Sequence, residues 1–476
     1  MRTLLQWIKV NQVLLINSAS LIGTTAITSL LGFAYWWVAA HLFSQASVGL
    51  ASAANSAMML LGTGCVLGLG TLLIGELPHQ RGKELPLISA ALILVGAIGG
   101  ISGIVFAFIA PYIARDLGPL GMSLSNILLF AAGASLTAIT IVFDQALVGL
   151  LRGELQFWRN AFFSLAKLVL LYLAGLWLKD NMGLTIYTTW TIGNALSLVV
   201  MFGYASIKKG WLGRAYLPEW RLLRKLGPQA IQHHAINMIL RVPPLVLPVI
   251  VTVLLSAELN ASFYIAFMIA NIITAVPTAL TTVLYATSAA EPETLTRKAR
   301  MTFSLSVGTA ILASGVLLLG ADLIMNIFGH SYAQDATWSL RLLTLTSFPL
   351  IIKNHFIAVC RIYNRMKSSI LALSAGILLE LVAAIIGGHF GSLLGLSVGW
   401  LIALCIEAAF MLPSVYRDLL LTRKIETTAS KRQESALRLI YCPICEEPLP
   451  ATARYCSACG EFMEAPTLVD LEAIHL

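Results

Sequence analysis

Long apolar runs separated by short polar gaps make up most of the chain. They fall near residues 14–42, 47–76, 85–113, 123–151, 158–178, 183–207, 228–256, 261–289, 301–328, 337–360, 368–389 and 392–413. A helix needs roughly twenty apolar residues to cross a hydrocarbon core of about 30 Å, and each run meets or exceeds that length. The pattern predicts an all-α membrane protein of about twelve transmembrane helices, with a polar tail after Ser414.

Composition agrees with this reading. The 476 residues are 58% hydrophobic and 11% charged, whereas a soluble domain carries about a quarter charged residues. Arg2 and Lys9 precede an apolar stretch far longer than a signal-peptide core. No small-residue cleavage site closes it early, so the first run is expected to remain a span.

The net charge of +8 raises the question of a nucleic-acid partner, and the placement of the charges argues against one. Numbering the gaps alternately loads one side with Arg2, Lys9, Arg81, Lys83, Arg152, Arg159, the cations from Lys208 to Lys225, Arg297, Lys298, Arg300, Arg361, Arg365 and Lys367. The tail adds more. The other side has only Arg115 and Lys179, each next to an aspartate. By the positive-inside rule the loaded side is cytoplasmic, with both termini there, as expected in a plasma membrane. The cations then face anionic lipids of the inner leaflet.

A faint internal repeat divides the membrane portion. Leu42-Phe43-Ser44 opens the turn after the first run, and Leu254-Leu255-Ser256 does the same after the seventh, an offset of about 212 residues. Arg152 and Arg365 show a similar offset. Six spans per half give both copies the same orientation, a parallel repeat about an axis along the membrane normal. The predicted organisation is one six-helix lobe over 1–207, a linker over 208–226 and a second lobe over 227–413. A cytoplasmic linker over 414–440, a zinc ribbon over 441–462 and a tail over 463–476 follow. In the first linker Trp211, Tyr216, Leu217 and Trp220 alternate with Arg214, Arg221, Arg224 and Lys225. That is the pattern of a short amphipathic helix lying on the inner leaflet, serving as a tether or as a collector of anionic lipid.

The tail presents Cys442, Cys445, Cys456 and Cys459 as CPIC and CSAC. Two C-x-x-C knuckles supply four thiolates, a tetrahedral set for structural zinc. Disulfides are the competing assignment, but a cytoplasmic tail keeps its thiols reduced. The ribbon folds the tail and offers a surface to a cytoplasmic protein partner. Cys65, Cys360 and Cys405 lie in or beside spans, where packing accounts for them.

Charges inside spans mark functional positions, because an ion at mid-bilayer is costly. Lys167, Arg241 and Lys353 are the central cations, and Asp144 and Glu380 the central acids. Arg341 and Glu407 lie near enough to span ends to snorkel. Pairing Asp144 with Lys167 and Glu380 with Lys353 is one arrangement, and it leaves Arg241 over. Arginine cannot deprotonate, and its fork suits phosphate oxygens. Arg241 precedes Pro243-Pro244, which is expected to kink or break its helix. His233 and His234 lie about two turns earlier, toward the cytoplasmic mouth. There is no nucleotide-binding loop, metalloprotease motif or nucleophile elbow, and no loop is long enough for a soluble catalytic domain. The sequence therefore describes a transporter rather than an enzyme.

Three stretches carry a family resemblance. "SLLGFAYWWVAAHLFSQASVGLASAANSAMMLL", "LLRKLGPQAIQHHAINMIL" and "FGHSYAQDATWSLRLLTLTSFPLIIKNHFIAVCRIYNR" resemble parts of the polysaccharide and lipid-linked oligosaccharide flippases. These belong to the superfamily that also holds multidrug extrusion antiporters and the lipid II flippase. The resemblance covers about residues 1–415 and implies two six-helix lobes in a V around a cavity open to one side at a time. It implies a polyprenyl-pyrophosphate-linked oligosaccharide as substrate, with Arg241, Lys353 and Lys167 meeting the pyrophosphate and Asp144 and Glu380 as charge partners or coupling groups. The antiporter branch implies instead a cation-coupled exporter working through Asp144. A membrane scaffold presenting the zinc ribbon is the third possibility.

Overall fold

A computed structural model describes residues 12–77, 84–177, 184–209, 217–290, 295–363, 365–421, 439–441 and 448–450. The helices are α1 (Gln12–Leu42), α2 (Gln45–Cys65), α3 (Leu69–Glu76), α4 (Glu84–Ile113), α5 (Leu124–Gly149), α6 (Gly153–Trp177), α7 (Leu184–Lys209), α8 (Trp220–Leu254), α9 (Ala257–Ala290), α10 (Leu295–Asn326), α11 (His330–Leu345), α12 (Ser347–Ile362) and α13 (Met366–Leu421). A 3-10 turn at Arg115–Leu120 joins α4 to α5. Two short strands, β1 (Leu439–Tyr441) and β2 (Pro448–Pro450), pair antiparallel. Among the described residues nine helical segments are long and apolar enough to cross a membrane.

The departures from the expected runs have local causes. The second run is split because Leu67 and Gly68 take φ of 50° and 73°, left-handed values that end a right-handed helix. The tenth run divides at Thr346 into α11 and α12. The last two runs are arms of one element, α13, turned at Gly391 and Ser392. Trp220 to Lys225, expected in the inter-lobe linker, form the first turns of α8. That helix continues through Pro243-Pro244 without a break, so the expected interruption is absent. Prolines at 243 and 244 still deny the carbonyls of Ile239 and Leu240 their helical donors.

Packing groups the chain into two units. The larger comprises Met1–Ile273, Leu312–Ser347 and Lys367–Cys405, and the smaller Thr274–Ile311, Phe348–Met366 and Ile406–Leu476. In the larger unit one core gathers Leu72, Leu73, Leu87, Val95 and Val142 from α3, α4 and α5. A second is built around Met58, Leu117, Leu120, Phe130 and Tyr187, with Phe130 stacked between Phe106 at 5.2 Å and Tyr187 at 5.6 Å. The smaller unit packs Leu284, Leu295, Ala299 and Ala358 together. Outward faces are apolar, as on α10, where Leu312, Leu319 and Leu323 are exposed; a membrane helix turns such a stripe to lipid.

The arms of α13 approach through glycine. A Cβ on Gly387 or Gly395 would strike the other's carbonyl, and one on Gly399 would strike that of Ala383. Lipid tails are as apolar as leucine, so helix pairs in membranes rely on such close contact. Gly395→Val is expected to part the arms at an overpacking cost of about 1–3 kcal/mol. A lower thermal midpoint of the detergent-purified protein, followed by size-exclusion fluorescence, checks it.

Candidate functional site

Lys167 sits on α6 and is 3% exposed. Its Nζ lies 3.5 Å from the centre of the Trp190 ring on α7, 4.8 Å from Phe163 and 4.9 Å from Tyr35 on α1. Phe163 is one helical turn before Lys167, and the Tyr35 hydroxyl donates to the Ile186 carbonyl at 2.7 Å and lies 3.0 Å from Thr189 Oγ1. Three aromatic faces from three helices thus surround the ammonium. A desolvated cation over aromatic rings gains about 2 kcal/mol or more.

The Asp144–Lys167 pairing considered from sequence is replaced by Asp144–Arg159. Arg159 Nε donates to Asp144 Oδ1 and Nη2 to Oδ2, both at 2.6 Å. Nη1 donates to Ser197 Oγ at 3.3 Å, and Asn160 Nδ2 donates to Asp144 Oδ2 at 3.0 Å. The reason is the helical hairpin. Asp144 lies five residues before α5 ends at Gly149, and Arg159 six residues after α6 begins at Gly153, so the two face each other across the turn. Lys167 is eight residues deeper, about 12 Å along the helix. The side chains of Arg159 and Asp144 are 4% and 16% exposed, so Arg159, expected at the cytoplasmic end of its span, is buried near the turn between α5 and α6.

In the smaller unit Lys353 Nζ of α12 lies 2.8 Å from Glu407 Oε2 in the second arm of α13, with side chains 8% and 4% exposed. Glu407, expected to snorkel, is therefore an interior partner of Lys353. Glu380, in the first arm and within the larger unit, is 1% exposed and accepts from Trp400 Nε1 at 2.7 Å. Arg241 differs from Lys167 and Lys353 in being exposed. On the same helix His234 Nε2 lies 2.9 Å from the Gly64 carbonyl, tying α8 to α2. Cys442, Cys445, Cys456 and Cys459 lie outside the described residues. The strand register sets Tyr441 opposite Pro448.

A polar seal at one end of the larger unit was not foreseen. Gln45 Nε2 donates to Asp335 Oδ2 at 2.6 Å and to Ser262 Oγ at 2.7 Å, and Ser262 donates to the same carboxylate oxygen at 3.0 Å. Asp116 Oδ2 accepts from the Ala257 amide at 2.7 Å. Asn260 Nδ2 donates to the Gly49 carbonyl and to Ser52 Oγ, each at 2.9 Å. At Gly49 a Cβ would collide with the Ala257 carbonyl. The signal available in sequence was the matched triplets. Ser44 Oγ accepts from the Ser47 amide at 3.3 Å, and Ser256 Oγ accepts from the Leu259 amide at 3.2 Å, so each serine caps the helix that brings a half of the seal.

Solved structures share this fold. A multidrug resistance MATE family transporter of the MOP superfamily, in its inward-facing conformation, superimposes with a TM-score of 0.68 at 13% identity, over 85% of this chain and 99% of that one. An outward-facing conformation of such a transporter gives 0.56 at 13% identity, over 87% and 96%. The chain has the MATE transporter fold. A MOP superfamily transporter from Pyrococcus furiosus, described as having a binding pocket of reversed polarity that suggests a different function, gives 0.56 at 12% identity over 86% and 96%. No family profile matches the sequence, and no curated relative does. On this MATE scaffold the charged groups are set out as caged (Lys167), paired (Asp144, Lys353), hydrogen-bonded (Glu380) and exposed (Arg241).

Removing one member of a buried pair strands the other charge, at about 3–5 kcal/mol. Asp144→Ala and Arg159→Ala are each expected to destabilise on that scale, and the double variant by clearly less than their sum. A double-mutant cycle on thermal or denaturant midpoints measures the difference.

Proposed function

We propose that the chain is an alternating-access transporter that moves a polyprenyl-pyrophosphate-linked oligosaccharide from the inner to the outer leaflet of the plasma membrane, for cell-surface polysaccharide synthesis. On this reading about twelve spans form two six-helix lobes with both termini cytoplasmic. The seal of Gln45, Ser262, Asp335 and Asp116 closes the outer end, and its short-reach hydrogen bonds part when the lobes rock. The observation that carries the reading is the state of the interior charges. Asp144, the acid an ion-coupled antiporter would need, is held bidentately by Arg159, whereas Arg241 is exposed beside two carbonyls deprived of donors. A guanidinium so placed suits a pyrophosphate, and Lys353 and Lys167 add positive charge on other helices. Lys353 would reach an anionic headgroup by releasing Glu407, which would couple headgroup binding to movement of α12 against α13. Lys167 is held by ring faces and acts on the anion through its field.

The multidrug label of the transporters that share the fold supports a second reading, export of small amphipathic compounds coupled to a cation at Asp144. Flipping of a fluorescent polyprenyl-pyrophosphate oligosaccharide in proteoliposomes separates the two. Wild type is expected to flip, and Arg241→Ala to lose roughly ten- to a hundredfold in rate, the scale of a hydrogen bond to a charged group. No flipping above empty liposomes would transfer the assignment to the exporter.

Cys442, Cys445, Cys456 and Cys459 would hold a structural zinc. Two C-x-x-C knuckles supply the four thiolates that a structural zinc takes. The ribbon would serve as a cytoplasmic docking element. Elemental analysis of the purified full-length protein is expected to find about one zinc per chain, reduced by Cys442→Ser together with Cys445→Ser. Flipping that survives this change would assign the metal to the tail and not to transport.

A further inference from the structure

The end of α10 and the first turns of α11 border an open cavity of about 270 Å³, lined chiefly by Asp322, His330, Gln334, Thr337, Trp338 and Arg341. Arg341 Nε donates to the Leu318 carbonyl at 3.3 Å, and the guanidinium carbon lies 4.5 Å from the centre of the Trp338 ring. The side chain is therefore pinned between α10 and the indole. Leu318 is one turn before Asp322 on the same face of α10, so carboxylate and guanidinium line the same cavity. Among the described residues no ion pair joins them. His330 and Gln334 complete the rim, their Nε2 atoms 2.9 Å apart.

The setting of this dipolar cavity identifies its medium. Leu319 and Leu323, on either side of Asp322 in sequence, are 89% and 72% exposed, and α10 is one of the segments able to cross a membrane. Asp322 thus lies four residues from the end of a lipid-facing helix, at the depth where acyl chains give way to headgroups. Trp338, 65% exposed, has the amphipathic ring that favours this depth. A carboxylate flanked by lipid-facing leucines needs a cationic partner there, and Arg341 on the same cavity needs an anionic one.

We propose that this cavity binds the headgroup of a zwitterionic phospholipid with a primary amine, phosphatidylethanolamine, its phosphate on Arg341 and its ammonium on Asp322. The N–H groups of a primary ammonium donate to the carboxylate, which a trimethylammonium cannot do. An anionic headgroup lacking a cation leaves Asp322 facing like charge. The assignment is independent of the cargo and of which membrane side this end faces.

Native mass spectrometry of the full-length protein, titrated with phosphatidylethanolamine, phosphatidylcholine and phosphatidylglycerol, tests it. Wild type is expected to retain phosphatidylethanolamine about fivefold over the other two, the scale of one half-exposed ion pair. Asp322→Lys is expected to invert the preference toward phosphatidylglycerol, and Arg341→Gln to remove it. Both positions border an open cavity, and unchanged thermal midpoints would show that the variants remain folded. Equal retention of the three lipids by wild type, or a preference that ignores both substitutions, would overturn the proposal. So would displacement of bound phosphatidylethanolamine by a soluble oligosaccharide.

Discussion

A charge inside a bilayer must be compensated locally, because no water is there to solvate it, and the interior of this protein is arranged around that requirement. Four positions meet it in four ways. Lys167 is enclosed by the faces of Tyr35, Phe163 and Trp190. Asp144 receives the fork of Arg159. Lys353 meets Glu407, and Glu380 takes the indole N–H of Trp400. Each solution ties together helices that lipid would otherwise let drift, since hydrophobic burial gives little reason for one apolar helix to prefer another over an acyl chain. The compensating contacts therefore fix helix rotation as well as charge.

Close backbone approach provides the rest. The arms of α13 touch through Gly387, Gly395 and Gly399, and α2 meets α9 where Gly49 admits the Ala257 carbonyl. These contacts differ in permanence. The α13 arms belong to one continuous element. The Gly49 contact lies inside the seal, where every bond runs from a side chain to a backbone group or another short side chain. Such bonds can be exchanged for water one at a time without stranding a buried ion, since Asp335 and Asp116 are exposed.

Helix positions could be read from the sequence because hydropathy is a one-dimensional property. The run expected at 85–113 is α4 at Glu84–Ile113, and where runs and helices disagree the cause is a local backbone event, as at Leu67-Gly68. Charge partners were not legible, because they depend on helix rotation and depth together. Asp144 and Lys167 look well matched as isolated intramembrane charges, but counting from the α5–α6 turn matches Asp144 with Arg159. Glu407 looked peripheral because a position near a span end is peripheral only if its side chain points outward, and that of Glu407 is 4% exposed. Asp335 and Gln45 drew no attention for the opposite reason. Polar residues at span ends are unremarkable until the turns of separate helices meet, and only the Ser44 and Ser256 triplets hinted that these turns correspond.

What remains distinctive is the sign of the charge left accessible. A shared fold at 12% or 13% identity fixes the helix arrangement and says nothing of cargo. The proposed cargo rests on which charges are already spent on the protein's own partners. Here both members of the Asp144–Arg159 pair are spent, as are Lys353 and Glu407 upon each other, and Lys167 is spent on aromatic rings. An exchange of partner at Lys353 releases a carboxylate as it captures an anion, so it is close to neutral in charge and demands movement instead. Arg241 requires no such exchange. It lies just before Pro243-Pro244, which deny the carbonyls of Ile239 and Leu240 their helical donors. Engaged acids and an exposed arginine are the polarity on which the proposal of an anionic headgroup as cargo rests.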